Sequence, residues 1–325
     1  MQRKKIVKIL SIIITVVLVL LLLSQISIHD LITLLITIEP QYLVISFFLY
    51  ACTYMCRAIR FVFLMNHSIS LKELFPIICV HTMMNTILPA RTGELSYVYM
   101  IKKFHGKTTG EGVATLIMAR VLDFIMIIVL LFISGFLIEE IPVTIQNYIW
   151  FIYLFLFALL GLVFSLIIYG HNMVTLCAKI LEKLKLAEQK YGKYILKKGG
   201  ETADSFEQMS FRKNSVKICI LSFAVWLFNF GSLYSILLGM KIMMPIQMVI
   251  FGATFILLAT VLPIHGIGGF GTTEAIWTLV YVPLGMTTNE AILSGFGYHI
   301  LTLVFTMILG LSGLILLKKN QYHLF

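Results

Sequence analysis

Charged side chains are scarce in this chain. Asp, Glu, Lys and Arg together make up 12% of its 325 residues, whereas in soluble globular proteins they make up about a quarter. Hydrophobic residues supply 59% of the composition. This balance excludes an ordinary soluble fold and predicts a multi-pass membrane protein.

The sequence also lacks the short motifs of familiar enzyme classes. It contains no HExxH, GxSxG or Walker sequence, and its five cysteines show neither metal-site spacing nor a disulfide pattern. Gly266, Gly268 and Gly271 match GxGxxG, but they follow a long apolar run rather than a strand, so we interpret them as a membrane turn and not as a dinucleotide site. We therefore expect no cofactor, no metal and no catalytic residue. The net charge of +10 is explained by loops and does not indicate nucleic acid.

Six uninterrupted apolar runs are long enough to cross a bilayer core, which needs about 20 residues per helix. They are 6–23, 42–65, 111–138, 147–169, 215–239 and 289–317. Lys and Arg accumulate in cytoplasmic loops, and their positions predict a cell-membrane protein with both termini in the cytoplasm. The basic stretch 171–217 has apolar residues at helical spacing, so we expect an amphipathic helix there that binds anionic lipids of the inner leaflet.

Two further apolar regions, 73–104 and 243–285, are interrupted by proline and glycine, and the interruptions end at Glu94 and Glu274. Non-helical backbone at membrane depth is tolerated only where it is buried in protein or lines a cavity. Paired interrupted segments are typical of the binding centre of an inverted-repeat transporter.

These patterns predict an all-α, polytopic membrane helix bundle. It has six full spans and two re-entrant or broken helical hairpins in an inverted-repeat arrangement. We expect one integral membrane domain, 1–325, with these parts: an N-terminal anchor helix and external segment 1–41, a first repeat 42–138, a connecting helix and basic cytoplasmic loop 139–214, a second repeat 215–317 and a cytoplasmic tail 318–325.

The first interruption is expected to end one helix and begin another. Pro89 removes a backbone donor and Gly93 relaxes the chain, so a new helix should begin near Thr92 with its positive N-terminus toward the middle of the membrane. Backbone N–H groups at a helix N-terminus bind phosphate readily, and Arg91 adds a permanently charged, planar donor. Glu94 in the first turn either belongs to this site or only complements its own helix dipole.

The second interruption repeats this design with Gly268, Gly269 and Gly271. Thr272 or Thr273 can cap the helix that follows. Two helix N-termini would then meet from opposite leaflets and form a site for an anionic headgroup.

Other polar residues in the apolar runs leave alternatives open. Arg120 and Asp123 are three residues apart and can form a structural ion pair, or can bridge to Glu94 or Arg91. Arg57 and Arg60 share a helix face near the inner interface, where snorkelling explains them, although they could gather headgroups. Three more residues, His81, Asn85 and His265, point to the same region, with His81 either a core histidine or a proton carrier.

At these residues the chain resembles the flippase-like membrane family named for the transmembrane domain of lysylphosphatidylglycerol synthase. The resemblance is carried by Arg57, Arg60, Asn85, Leu88, Pro89, Ala90, Arg91, Gly93, Glu94, Arg120, Asp123, Pro263, Gly268, Gly269, Gly271 and Glu274. In the full-length synthase such a domain is thought to move a cationic aminoacyl phospholipid, which a separate C-terminal domain makes. The resemblance implies translocation without aminoacyl transfer.

The leading hypothesis is a translocase for a phospholipid, aminoacyl phospholipid or polyprenyl phosphate. The expected substrate-binding residues are Arg57, Arg60, His81, Asn85, Arg91, Gly93, Glu94, Arg120, Asp123, His265, Gly268, Gly269, Gly271, Thr272 and Glu274. One alternative is a membrane-embedded enzyme or accessory subunit of lipid or glycan modification. Another is a membrane partner that recruits a lipid-synthesis enzyme through the basic loop.

Overall fold

The computed structural model of the protein describes residues 27–88, 92–138, 211–259 and 269–321, with a few isolated positions outside these ranges. Regular structure in this part of the chain is helical. The helices are α1 (Ile28–Thr37), α2 (Pro40–Leu64), α3 (Leu71–Ile87), α4 (Glu94–His105), α5 (Thr109–Phe136), α6 (Phe211–Gly239), α7 (Ile246–Ala259), α8 (Thr272–Tyr281) and α9 (Thr288–Gln321).

Helices α2, α5, α6 and α9 are long and apolar enough to cross a membrane. They confirm four of the predicted spans, at 42–65, 111–138, 215–239 and 289–317. The bounds agree within about two residues, except that α6 begins four residues earlier and α9 ends four residues later than predicted. The predicted spans 6–23 and 147–169 and most of the basic loop 171–217 lie outside the described residues.

The first apolar region folds as a hairpin of α3 and α4, called here the first hairpin, and its interruption lies between the two helices. Gly93 lies so close to the last turn of α3 that an added Cβ would overlap the backbone of Met84 and Asn85. On the next turn away from the bend, the rings of His81 and Tyr97 are 5.7 Å apart. The chain therefore folds back on itself at the predicted break.

The second apolar region forms a second hairpin from α7 and α8. The hydroxyl of Tyr281, at the end of α8, donates to the carbonyl of Val249, near the start of α7, at 2.8 Å. An added Cβ on Gly252 would meet the same tyrosine ring at 2.6 Å. The two short helices are therefore antiparallel, as a hairpin requires.

The two halves of the chain interlock through close helix contacts. Ser46 of α2 and Ser232 of α6 exchange hydrogen bonds, each hydroxyl donating to the other's carbonyl at 3.1 and 3.0 Å. Helix α9 approaches α3 at Gly310 and Gly313, where an added Cβ would lie 2.5 to 2.7 Å from side-chain atoms of α3. Small residues allow such backbone approach between membrane helices.

Helix α5 lies between the two hairpins. Its first half belongs to an apolar cluster with α2, α3 and α4, and its second half belongs to a larger cluster with α6, α7 and α8. Arg120 and Asp123 lie at the junction of these clusters, so the fold places two charged side chains where both hairpins converge.

Candidate functional site

A buried ion pair joins Arg60 of α2 to Asp123 of α5. The guanidinium donates to both carboxylate oxygens, at 2.7 and 3.3 Å, and its Nη1 also donates to the hydroxyl of Ser222 on α6 at 3.1 Å. Arg60 is only 1% exposed. Two-point contacts of this kind are among the stronger polar interactions in proteins.

The snorkelling interpretation of Arg60 is therefore wrong. Its position four residues before the end of α2 suggested that the side chain reaches the interface, but a carboxylate on another helix holds it in the interior. Arg57, one turn earlier, is half-buried and points toward the same region.

Arg120 extends this pair into a network. Its Nε and Nη2 contact Glu94 Oε1 at 3.1 and 2.9 Å, and its Nη1 lies 3.8 Å from Asp123 Oδ2. The bridge to Glu94 is one of the two alternatives that the sequence left open. Glu94, Arg120, Asp123 and Arg60 thus form a continuous chain of charges across α4, α5 and α2.

This network borders a cavity of about 250 Å³, called here the polar cavity. Its lining combines apolar side chains with charged and polar ones contributed by α2, α3, α5 and α6. The polar and charged lining residues are Tyr50, Arg57, Arg60, His81, Thr82, Asn85, Thr86, Arg120, Asp123 and Trp226. The second hairpin contributes Leu257.

Unsatisfied polar atoms in the described residues are confined to this lining. Five buried side-chain atoms have no hydrogen-bond partner there, and every one belongs to a residue of the polar cavity: Arg57 Nε, Arg60 Nε, His81 Nδ1, Asn85 Oδ1 and Trp226 Nε1. Buried polar groups without partners are uncommon in folded proteins and point to a role beyond packing.

Glu274 of the second hairpin is fully buried. Its Oε2 accepts the N–H of Gly271 at 2.7 Å, and its Oε1 lies 2.6 Å from Nδ1 of His299 on α9. The imidazole also stacks on Phe270 at 4.4 Å. Glu274 therefore caps its own helix, and it also pairs with His299 of another helix.

The expected capping role of Thr272 is wrong. Its hydroxyl donates to the carbonyl of Gly269 at 2.9 Å, so it closes the turn before α8. The N-terminal position of α8 is occupied by Gly271, whose φ of 78° places it in the left-handed region, and the Glu274 carboxylate satisfies its N–H.

The structure brings together only part of the predicted site. Six predicted residues line the polar cavity: Arg57, Arg60, His81, Asn85, Arg120 and Asp123. Glu94 and Gly93 are not in the lining but contact two of its residues, Arg120 and Asn85. The second-hairpin residues Gly269, Gly271, Thr272 and Glu274 are not in its lining. Arg91, His265 and Gly268 lie outside the described residues.

Sequence reasoning missed His299, Ser222 and Trp226. A spacing signal existed for His299, which follows Glu274 by 25 residues as Arg120 follows Glu94 by 26. No such signal marked Ser222 or Trp226, since only tertiary packing places them near Arg60 and the cavity. In the described part of the chain, no group of three or more His, Cys, Asp or Glu could hold a metal ion.

Comparison with known proteins gives one family and two relatives. The family model described as the lysylphosphatidylglycerol synthase TM region matches residues 8–310. A UPF0104 membrane protein of Methanocaldococcus jannaschii is 23% identical over 335 residues, which covers 98% of each chain. A second UPF0104 membrane protein of that organism is 27% identical over 202 residues, covering 61% of this chain and 77% of the relative. No solved structure matches the chain.

Proposed function

The chain belongs to the family of the lysylphosphatidylglycerol synthase TM region, and from that premise we propose that it translocates a phosphate-bearing lipid across the cell membrane. The headgroup enters the polar cavity, while the acyl chains remain in the surrounding bilayer. Only the TM region of the synthase is matched, so the proposal includes no aminoacyl transfer.

The observation that carries this proposal is the charge of the polar cavity. Arg57, Arg60 and Arg120 face one lining carboxylate, Asp123. Ionisable side chains at membrane depth are costly and mark substrate pathways, and the planar guanidinium matches phosphate oxygens with two parallel donors. The unsatisfied donors of Arg57 and Trp226 add further capacity for an acceptor-rich ligand.

The volume of the cavity also suits a headgroup. Pockets for drug-sized ligands span about 300 to 1,000 Å³, and the polar cavity has about 250 Å³. That space accommodates a phosphate and a few attached atoms but not acyl chains, so a lipid would have to keep its tails outside.

The distribution of charge supports cytoplasmic termini. One end of the described bundle carries Lys72, Lys102, Lys103, Lys107, Lys217, Lys318 and Lys319 with Glu73 and Glu111, and the opposite end carries Asp30, Glu39 and Glu290 with Lys241. The ring of Phe63 lies 5.4 Å from Lys217 Nζ, which joins the end of α2 to the start of α6 at the basic end. Positive charge accumulates on the cytoplasmic side, so this end faces the cytoplasm.

Helix packing supports the inverted repeat. Helices α2, α3, α4 and α5 of the first half correspond to α6, α7, α8 and α9 of the second. The contact between α3 and α9 has its counterpart between α7 and α5, and the contact of each hairpin's short helix with the following long helix occurs in both halves. Helices α2 and α6, which correspond to each other, pack antiparallel as inversion requires, since Ser46 contacts Ser232 while Arg60, later in α2, contacts Ser222, earlier in α6.

Reconstitution of the full-length protein tests translocation. In vesicles with acyl-labelled fluorescent phospholipid, dithionite bleaches only outer-leaflet probes unless a translocase delivers inner-leaflet lipid. We expect complete bleaching with the wild-type protein and slower bleaching with Thr86→Phe, which fills the polar cavity and removes no charge. Ile133→Phe on the exposed face of α5 is the matched control and should leave the rate unchanged. Equal rates for protein-containing and protein-free vesicles would exclude translocation.

Lipid analysis of a deletion strain separates this function from an enzyme of lipid modification. Loss of one lipid species would favour the enzyme. An unchanged lipid pool with an altered distribution between the leaflets is expected for the translocase.

A further inference from the structure

The charges around the polar cavity do not cancel. Arg60 is paired with Asp123 through both oxygens, and Arg120 is paired with Glu94. Arg57 makes no ion pair within 4.0 Å in the part of the chain that the structure describes, and its Nε is buried without an acceptor. Among the described residues, three guanidinium groups thus face two carboxylates, so that arginine outnumbers carboxylate by one.

A cationic part of a headgroup would find no free carboxylate in the described lining of the cavity. Both oxygens of Asp123 already accept from Arg60, and the second oxygen also faces Arg120. Glu94 is not in the lining and contacts Arg120 with Oε1. An ammonium in this space would therefore lie beside guanidinium groups, and like charges at close range are strongly unfavourable.

An anionic phosphate meets the opposite situation. The guanidinium of Arg57 supplies donors and a charge that forms no ion pair within 4.0 Å with a carboxylate of the described residues, and the unsatisfied N–H of Trp226 lies in the same lining. In a low-dielectric interior an uncompensated charge gains strongly from a counter-ion. A phosphate whose charge is not balanced within its own headgroup provides that counter-ion.

We propose that the polar cavity selects lipid headgroups with a net negative charge, such as phosphoglycerol or a phosphomonoester, and that Arg57 sets this selectivity. The inference rests on the proposed translocation and narrows its substrate class. Zwitterionic and aminoacylated headgroups carry an ammonium and are disfavoured. In the described part of the chain the carboxylates near Arg57 are paired with Arg60 and Arg120, so removal of Arg57 strands no directly paired carboxylate there.

A comparison of the translocation rates of three lipids tests the selectivity. Initial bleaching rates are measured in vesicles for acyl-labelled phosphatidylglycerol, phosphatidylcholine and lysylphosphatidylglycerol. With the wild-type protein we expect phosphatidylglycerol to move about tenfold faster than the other two, which corresponds to about 1.4 kcal/mol. Arg57→Gln should bring the ratio close to one, whereas Arg57→Lys, which keeps the charge, should preserve most of it. Lys102→Gln removes an exposed charge from α4 and serves as the control.

The outcomes separate the two proposals. Equal rates for the three lipids, or a preference that Arg57→Gln leaves unchanged, would overturn the selectivity while translocation stands. A preference for phosphatidylcholine would also overturn it and would assign the dominant role to the aromatic lining residues Tyr50, Phe124 and Trp226.

If no lipid is translocated, a binding measurement tests the selectivity of the polar cavity. The thermal stability of the detergent-solubilised protein is measured with short-chain phosphatidylglycerol, phosphatidylcholine and inorganic phosphate. Greater stabilisation by phosphatidylglycerol, lost in Arg57→Gln, supports the selectivity even if translocation fails. Equal stabilisation by the two lipids would overturn the selectivity. Stabilisation by inorganic phosphate as large as that by phosphatidylglycerol would also overturn it, because the ligand would then be a free anion.

Discussion

Glu94 in the first hairpin and Glu274 in the second occupy corresponding points. Each follows a break, lies in the first turn of a short helix and contacts a basic residue of the long helix that comes next. Arg120 and His299 are each the twelfth residue of that helix. The basic residue differs between the halves: arginine presents a planar guanidinium with five N–H donors, whereas histidine presents an imidazole ring with two nitrogens.

The two glutamate contacts also differ in what surrounds them. The first contact continues through Asp123 to Arg60 and borders the polar cavity. The second is local, with a fully buried carboxylate that also caps its own helix. Corresponding positions in the two halves thus support a charge network beside a cavity in the first half and a compact pair in the second.

Breaking the charge network should have the largest effect. Arg60→Met leaves the buried Asp123 without its two-point partner, and we expect unfolding in mixed micelles to require about 3–5 kcal/mol less free energy. Replacing both partners, in Arg60→Met with Asp123→Leu, should recover much of this loss because no buried carboxylate is stranded. A double variant as unstable as the single one would show that the pair is not the source of the effect.

The glycines at the two bends should differ in cost. Gly93→Ala places a Cβ against the backbone of α3, and we expect a loss of about 1–3 kcal/mol from overpacking. Gly271→Ala meets instead the strain of a left-handed backbone, which costs about 1–2 kcal/mol. Urea or SDS titration of both variants measures the order, and a milder effect at Gly93 would contradict the tight bend.

Replacing His299 should weaken the second hairpin. His299→Gln removes the contact of the imidazole with the buried Glu274 carboxylate at 2.6 Å, and we expect a loss of about 1–3 kcal/mol in the free energy of unfolding. SDS titration of the two proteins measures this loss, and equal stability of the wild type and His299→Gln would show that the contact contributes nothing to the fold.

The smallest effect is expected at Thr272. Thr272→Val removes one hydroxyl hydrogen bond to Gly269 within a turn, and such a bond contributes about 0.5–1.5 kcal/mol. Glu274→Gln should cost more, since it weakens both the cap on Gly271 and the contact with His299. A larger loss for Thr272→Val would restore the threonine as the principal cap.

Hydropathy and turn chemistry predicted most of the described fold. Four spans and both breaks follow from local properties, because an apolar run of sufficient length has few alternatives in a bilayer and clustered proline and glycine disfavour a continuous helix. The packing of α3 against α9 could not be predicted, since it depends on Gly310 and Gly313 meeting a helix more than 200 residues earlier in the chain.

The site was predictable where partners are close in sequence. Arg120 and Asp123 share a helix face, and the proximity of Glu94 follows from the short connection between α4 and α5. Arg60 was misassigned because its burial depends on Asp123, 63 residues away. His299 lies within a long apolar helix, where only its spacing from Glu274 could have drawn attention to it.

The close approach at Gly310 and Gly313 has a consequence for the geometry of the cavity. His81 and Asn85 form one wall of the cavity and belong to α3, whose position is set by direct contact with α9 at these glycines. Helix α9 contributes no residue to that wall, yet its distance from α3 fixes where the wall lies. Helix α9 therefore sets the width of the polar cavity although the described lining belongs to other helices. One methyl group added at Gly310 or Gly313 would shift α3 and so change the shape of the cavity from outside it.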